Sequence, residues 1–250
     1  MKIIEPSYEI MRSIPENGIW VLKELEEAAR VCYKSEDKAT DDGESARKLV
    51  DHLLKNDHEV PIEFYDITVK FVCDRGVSHE MVRHRLASFC QESTRYCNYS
   101  KGKFGGEIMV IEPVIFSEMD AGVKAYLRRQ IAFRKLEVND VKLEPMQRLY
   151  TEWIGGVLDA EAAYMYMLQD GATPEIARSV LPTCLKTEVM MKANLREWRH
   201  ILKLRTSEKA HPEMRRLMLP LLCELHSKIP IVFDDIWWGA CAKGMEAVNA

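Results

Sequence analysis

The chain has 250 residues, of which 47% are hydrophobic and 30% charged, and its formal net charge is −4 at pH 7. Such a chain can bury a full core, as one domain or as two closely packed lobes. The acidic balance excludes a generally basic nucleic-acid binder. No apolar run approaches the roughly 20 residues of a membrane span, and the start lacks the apolar core of a secretory signal.

Seven cysteines are scattered along the chain, and no two of them have C-x-x-C spacing. An odd number of dispersed cysteines is typical of reduced thiols in a cytosol, so we expect a cytoplasmic protein without a structural zinc site or a redox dithiol. His79 and His84 resemble part of a zinc protease motif. However, histidines five positions apart are separated by about 140° around a helix, so we predict no metal site there.

Two periodicities alternate along the sequence: apolar residues at every second position predict strands, and those three or four positions apart predict helices. In chain order, the pattern predicts a strand at 2–12, helices at 20–33 and 44–55, a loop at 58–63, strands at 65–71 and 108–111, two long helices within 117–170, a short helix from 174, a strand at 184–193, and helices at 195–205 and 212–228. The sequence shows no internal repeat and no linker. We therefore expect an α+β fold, a central mixed or antiparallel sheet flanked by helices, in one domain over 1–250 with a helical insertion at about 117–170.

The segment Arg83–Arg95, R-H-R-L-A-S-F-C-Q-E-S-T-R, concentrates three arginines with a histidine and several hydroxyl groups. Guanidinium groups repel one another unless an anion lies among them, and their forked donors match phosphate oxygens. We expect a turn and N-cap at Gly76–Ser78, followed by a short helix with Glu80, Arg83 and His84 on one face. The alternative is a solvated helix end with a polar loop.

Beyond that helix, Gln91, Ser93 and Arg95 alternate as they would in an extended segment. Their side chains would then point to the same side. A helix end that runs into an extended segment, both carrying polar groups, favours a lined pocket over a solvated surface.

A second basic stretch is Asn194–Arg205, N-L-R-E-W-R-H-I-L-K-L-R, which we predict to be a helix capped by its asparagine. Arg196, Arg199 and His200 fall within one turn, and Arg205 lies where the helix ends. An amphipathic helix with a solvated basic face is the competing interpretation.

Four blocks of this sequence carry a specific combination of residues. They are His58-Glu59-x-Pro61-x-Glu63, Arg83-His84-Arg85-x-x-Ser88 with Ser93-x-Arg95-Tyr96, Arg178-x-Val180-Leu181-Pro182, and Asn194-x-Arg196-x-x-x-His200 with Leu204-Arg205. In order and spacing, these blocks resemble the motifs of the flavin-dependent thymidylate synthases. They cover most of residues 58–205, whereas the two ends of the chain add little.

The resemblance implies reductive methylation of dUMP to dTMP, with 5,10-methylenetetrahydrofolate as one-carbon donor and FAD, reduced by NADPH, as hydride source. It also implies a homotetramer whose sites are shared between subunits, and no protein nucleophile. The residues that it places on dUMP are Glu80, Arg83, Gln91, Ser93, Arg95, Arg178 and Arg205. The residues that it places on FAD are Arg83, His84, Arg85, Gln91, Asn194, Arg196 and His200. Arg205, on the uracil, is the expected catalytic residue.

The sequence departs from the family pattern at several places. Cys90-Gln91 stands where Asn-Glu is common, Glu80 where glutamine is frequent, and Val60 where a hydroxyl residue is usual. A competing hypothesis is a flavin-free pyrimidine nucleotide methylase in which Cys90 is a thiolate nucleophile activated by neighbouring arginines.

Overall fold

The structure is a computed structural model that describes residues 1–12, 14, 18–133 and 143–242. The chain forms two compact units, which are described separately. The first unit comprises Met1–Pro6, Val72–Ser78 and Gln91–Glu188, and the second comprises Ser7–Phe71, His79–Cys90 and Val189–Ala250. The single-domain organisation expected from the sequence stays a prediction.

Within the described residues, the strands form two sheets. In the smaller sheet, β1 (Lys2–Ile4) pairs in parallel with β5 (Met109–Ile111). The larger sheet is antiparallel and has the strand order β2-β3-β6-β4. Its strands are β2 (Ser7–Ile10), β3 (Asp66–Asp74), β6 (Lys186–Asn194) and β4 (Ser88–Gln91). Together with the helices, this sheet confirms the α+β fold class.

The prediction of one opening strand over residues 2–12 is wrong. The segment contains two strands, β1 and β2, which belong to different sheets and are separated by Glu5 and Pro6. Proline has no backbone N–H, so it cannot donate to a strand ladder, and the chain changes sheets at this residue.

Helices account for most of the remaining structure. In chain order they are α1 (Ile19–Val31), α2 (Glu44–Lys55), α3 (Arg75–Met81), α4 (Ala121–Ala132), α5 (Pro145–Gln169), α6 (Pro174–Ala177), α7 (Leu195–Arg205), α8 (Pro212–Lys228) and α9 (Pro230–Trp237). The sequence predicted the positions of all of these except α3 and α9. Within the described ranges, no helix combines the length and apolar character needed to cross a membrane.

The helical stretch expected at 117–170 contains α4 and the 25-residue α5. Of the two predicted junctions, Asn139–Asp140 lies outside the described residues, and Glu144–Pro145 is where α5 begins. Glu144 and Gln147 form a reciprocal capping box, and proline occupies the first turn, where a missing N–H costs nothing.

The core of the first unit lies along α5. Val157 and Tyr164 pack in one apolar cluster with Ile108 and Val110, and Tyr150 packs in a second cluster with residues of α4 and its neighbouring loops. This long helix therefore holds the small parallel sheet and α4 together within the unit.

The core of the second unit is organised around α7. Four of the five apolar residues of this helix, Leu195, Trp198, Ile201 and Leu202, are fully buried, whereas Leu204 is exposed. The indole Nε1 of Trp198 donates to the backbone carbonyl of Ile67 in β3 across 3.0 Å. This packing fixes α7 against the sheet, so the polar face of α7 is held in one orientation.

Two local expectations for the second unit are wrong. The helix predicted at 20–33 ends at Val31, and Cys32, its C-cap residue, is exposed. The loop expected at residues 58–63 contains a short 3-10 helix, Val60–Phe64, with Pro61 in its first turn.

Candidate functional site

The helix before the arginine-rich segment begins earlier than predicted. Gly76–Ser78 lies inside α3 instead of forming a turn before it, because Asp74, at the end of β3, accepts the N–H of Val77 at 2.7 Å. The residue that caps α3 is therefore Asp74, which the alternating pattern of β3 assigns to the strand.

The predicted helical face shared by Glu80, Arg83 and His84 is also wrong. The helix ends at Met81, and Arg83 and His84 lie in the turn that follows, where their N–H groups donate to carbonyls three residues back, at 3.3 and 3.1 Å. Arg83 is exposed, as is Arg85, whereas His84 turns inward and is 6% exposed.

Three groups of the second unit converge at the end of α7. Arg205 donates from Nε to Nε2 of His84 at 3.0 Å, from Nη1 to Oε2 of Glu80 at 2.6 Å, and from Nη2 to the carbonyl of Glu80 at 3.1 Å. Glu80, which stands where glutamine is frequent in the family, thus forms an ion pair with Arg205. With three contacts, the guanidinium is held in a defined orientation.

The imidazole of His84 is kept neutral by its surroundings. Burial, together with the positive charges of Arg205 and His200, lowers the pKa of His84 to about 4. Because Nε2 accepts from Arg205, the ring proton is on Nδ1, which faces Glu197 Oε1 at 3.6 Å. Burial also raises the pKa of the Glu197 carboxyl.

His84, Glu197 and His200 place one nitrogen or oxygen atom each within 4.8 Å of one another, a spacing that a metal ion could use. The hydrogen bond from Arg205 opposes that use. A metal on Nδ1 would require the proton on Nε2, facing another N–H donor, and a metal on Nε2 would displace the guanidinium. The three residues are therefore better described as a hydrogen-bonded and charge-coupled cluster.

A cavity of about 690 Å³ lies next to this cluster within the second unit. Three of the residues that the sequence placed on FAD line it, namely Asn194, Arg196 and His200. Groups of both charge signs complete the lining: Asp57, Glu59, Glu63, Leu86, Glu197, Arg199, Lys203 and Ile236.

The two arginines of the cavity are already paired with carboxylates. Arg196 donates to Glu63 at 2.6 Å and lies 3.4 Å from Glu59. Arg199 donates to Glu59 at 3.2 Å and reaches both carboxylate oxygens of Asp235 at 2.8 and 2.9 Å. The carboxylates hold the guanidinium groups in place before any ligand enters.

Asn194 has a structural role that the sequence predicted. Its side chain accepts the backbone N–H of Glu197 at 2.9 Å and so caps α7. The side chain of Glu197, the residue whose N–H is capped, lies 3.6 Å from Nδ1 of His84.

The remaining predicted residues lie in the first unit. The extended segment ends at Gln91, the last residue of β4. The predicted alternation through Ser93 and Arg95 is therefore wrong: the carbonyl of Ser93 accepts the N–H groups of Tyr96 and Cys97, at 3.1 and 2.9 Å, and closes a turn.

The structure brings Arg178 to this turn. Its Nη1 donates to Oγ1 of Thr94 at 3.3 Å. Arg95 is about half exposed; its guanidinium lies 5.2 Å from the ring centroid of Tyr96 and 3.9 Å from Glu175. Two guanidinium groups from distant parts of the sequence thus flank one hydroxyl-bearing turn.

Several polar residues beside these sites were not assigned from the sequence. They are Glu197 at the cluster, Glu59 and Glu63 at the cavity, and Ser78 and Thr187 next to Gln91. The position of Glu197, three residues after a capping asparagine, was a usable signal. No sequence signal marked Ser78 and Thr187, because they meet Gln91 only in the folded chain.

An α+β chain that clusters guanidinium, imidazole and carboxylate groups beside a sizeable cavity has the features of an enzyme that binds anionic ligands. Residues 21–231 match the model of the family described as thymidylate synthase complementing protein, and the chain belongs to this family.

Relatives of the chain carry the name flavin-dependent thymidylate synthase. The one from Corynebacterium aurimucosum is 28% identical over 227 residues, which cover 90% of this chain and 84% of the relative. The one from Mycobacteroides abscessus is 27% identical over 223 residues, covering 89% and 82%. These matches confirm the family that the sequence motifs predicted.

Proposed function

We propose that this protein is a flavin-dependent thymidylate synthase that methylates dUMP to dTMP. The one-carbon unit would come from 5,10-methylenetetrahydrofolate, and the reducing electrons from NADPH through FAD. The observation that carries the proposal is the guanidinium of Arg205, held by His84 and Glu80 next to the cavity whose lining includes the predicted flavin residues.

The donors of the second unit fit a flavin nucleotide. The cavity of about 690 Å³ offers a guanidinium, an imidazole, an ammonium and an amide group, from Arg196, His200, Lys203 and Asn194. Such groups suit a pyrophosphate and the polar edge of an isoalloxazine ring. When bound, the flavin would supply the hydride that reduces the transferred carbon.

Arg205 would act on the pyrimidine by electrostatics. A guanidinium next to the uracil favours the anionic form of the ring, which raises the electron density at the carbon to be alkylated. His84 serves this role as a neutral acceptor, because a protonated imidazole would repel the guanidinium and lose the hydrogen bond. No protein nucleophile is needed if the ring itself is activated in this way.

The first unit would hold the nucleotide. Arg95 and Arg178 have the charge and the forked geometry for a phosphate, with Ser93 and Gln91 as additional hydrogen-bonding groups. Glu80, Arg205 and the exposed Arg83 are the other residues that we propose for the nucleotide. We also propose that Arg83, His84, Arg85 and Gln91 contribute to flavin binding.

We propose a homotetramer with sites shared between subunits. Large apolar side chains near the cavity residues support this: Val60 is 63% exposed, Phe64 69% and Leu86 79%. Side chains of this kind are usually covered in an assembly. We also propose a cytoplasmic location, because seven scattered cysteines, an odd number, are typical of reduced thiols.

The decisive experiment is anaerobic reduction of the purified protein by NADPH, with and without dUMP, followed by addition of methylenetetrahydrofolate. We expect a flavin absorbance that bleaches on reduction, and dTMP as the product. A protein that forms dTMP without any flavin absorbance contradicts the proposal. The variant Cys90→Ala should keep its activity, and its complete inactivation would instead support the thiolate mechanism.

A further inference from the structure

The side chain of Gln91 is held by two buried hydroxyl groups of the first unit. Its Nε2 donates to Oγ of Ser78 at 2.9 Å and to Oγ1 of Thr187 at 3.2 Å. Both hydroxyl residues are completely buried, whereas Gln91 itself is only half-buried. The amide is therefore anchored at its inner end, and water cannot replace either anchor.

The hydrogen bonds around Ser78 decide which way the amide faces. Ser78 Oγ donates its single proton to the carbonyl of Arg75, at 3.0 Å, one turn back in α3. With its proton used there, this hydroxyl can only accept from Gln91. The nitrogen of the amide must then face Ser78, because an oxygen in that position would meet another acceptor. Thr187 takes the second N–H of the same nitrogen.

With both N–H groups engaged, Gln91 has one polar atom left for a ligand, the acceptor Oε1. We infer that Ser78, supported by Thr187, is a positioning residue that makes Gln91 present a hydrogen-bond acceptor, and that the nucleotide donates to it. This inference rests on the proposed function, since it places Gln91 at the pyrimidine nucleotide. The donor would be a sugar hydroxyl or the imide N–H of the base.

The same contacts explain why glutamine suits this chain where the family motif commonly has glutamate. A carboxylate at position 91 offers no proton to Ser78. The serine hydroxyl would have to turn towards it and give up its bond to the carbonyl of Arg75. Ser78 and Gln91 therefore form a matched donor and acceptor pair.

The experiment is a double-mutant cycle read as the dissociation constant of dUMP, measured by calorimetry on the flavin-loaded protein. In Ser78→Ala the amide is free to rotate and to present its donors to the nucleotide, and we expect about tenfold weaker binding. In Ser78→Ala combined with Gln91→Glu we expect binding within about threefold of Gln91→Glu alone, because a carboxylate presents an oxygen in either orientation.

The double-mutant cycle distinguishes a positioning role of Ser78 from a merely structural role. If Ser78→Ala binds dUMP as tightly as the native protein, the inference is wrong. It is equally wrong if Ser78→Ala weakens binding by the same factor with glutamine and with glutamate at position 91. If Ser78→Ala does not fold, Thr187→Val removes the other anchor with little change of volume, and the same cycle applies to it.

Two nucleotide analogues can identify which group of the nucleotide donates to Oε1 of Gln91. One is 2′,3′-dideoxyuridine monophosphate, which lacks the sugar hydroxyl, and the other is dUMP methylated at the imide nitrogen. The analogue that has lost the donor should bind the native protein and Ser78→Ala equally. If Ser78→Ala binds both analogues tenfold more weakly than the native protein does, the inference is refuted. A native protein that binds no dUMP at all instead refutes the proposed function.

Discussion

Arg205 and His84 are 121 positions apart in the sequence, yet a hydrogen bond of 3.0 Å joins Nε of one to Nε2 of the other. The bond requires a histidine that is neutral and protonated on Nδ1, and the burial of His84 provides the first condition. The guanidinium thus has a fixed orientation. Electrostatic catalysis depends on such preorganisation, since the charge need not reorganise during the reaction.

Replacing Arg205 should separate chemistry from cofactor binding. We expect Arg205→Ala to retain bound flavin and to lose dTMP formation by about 10²–10³-fold, the effect of removing one preorganised electrostatic group. Arg205→Lys keeps the charge but not the forked contacts, so its rate should be intermediate. Flavin absorbance and product formation measure the two quantities, and a fully active Arg205→Ala protein would exclude the assigned role.

Replacing Arg95 should weaken the binding of dUMP more than the binding of the flavin. We expect Arg95→Ala to weaken dUMP binding at least tenfold and to leave flavin affinity nearly unchanged, because the proposed phosphate contacts lie in the first unit and most of the proposed flavin contacts in the second. Arg129→Ala, which removes an exposed arginine of α4, is the matched control and should change neither affinity. Equal losses of both affinities in Arg95→Ala would show that the assignment of ligands is wrong.

The neutral His84 should make folding stability depend on pH. Its pKa is about 4 in the folded chain against an ordinary value of 6.5, so the unfolded chain binds more protons between these values. The stabilisation is therefore complete above pH 6.5 and is lost as the pH falls towards 4. Between pH 7 and 5 the native protein should lose about 2 kcal/mol more than His84→Gln, which has no titrating group there.

Urea unfolding at the two pH values measures this difference. Glu197 faces position 84 in both proteins, so its own titration largely cancels in the comparison. Equal losses of unfolding free energy in the two proteins would mean that His84 is not held neutral by the fold.

Trp198 should be the largest single contributor to the packing of α7. The side chain is completely buried and its indole N–H bonds to Ile67. We expect Trp198→Ala to cost about 3–5 kcal/mol of unfolding free energy through the cavity that it leaves. Trp198→Phe keeps most of the volume and should cost about 1–3 kcal/mol, chiefly for the unpaired carbonyl. A loss below about 1 kcal/mol in Trp198→Ala would contradict the packing described here.

The bounds of α2 and α7, the cap of Asn194 and the position of β6 could be predicted from the sequence alone. Each depends on residues close together in the chain: an apolar period, an asparagine before a helix, or alternating apolar and polar residues. The start of α3 was missed for a related reason. Asp74 lies in the strand pattern and caps the helix at the same time, and a local pattern assigns it to only one of these elements.

The family could also be recognised from the sequence, because motif spacing survives in a chain that is only about 27% identical to its named relatives. Which atoms meet was decided by the tertiary structure. Packing of Trp198 on β3 orients α7 and carries Arg205 to His84, and the pairing of β4 with β6 brings Gln91 to Thr187. Side-chain pairs so far apart in the chain leave no periodic or spacing signal, since only the folded backbone brings them within hydrogen-bonding distance.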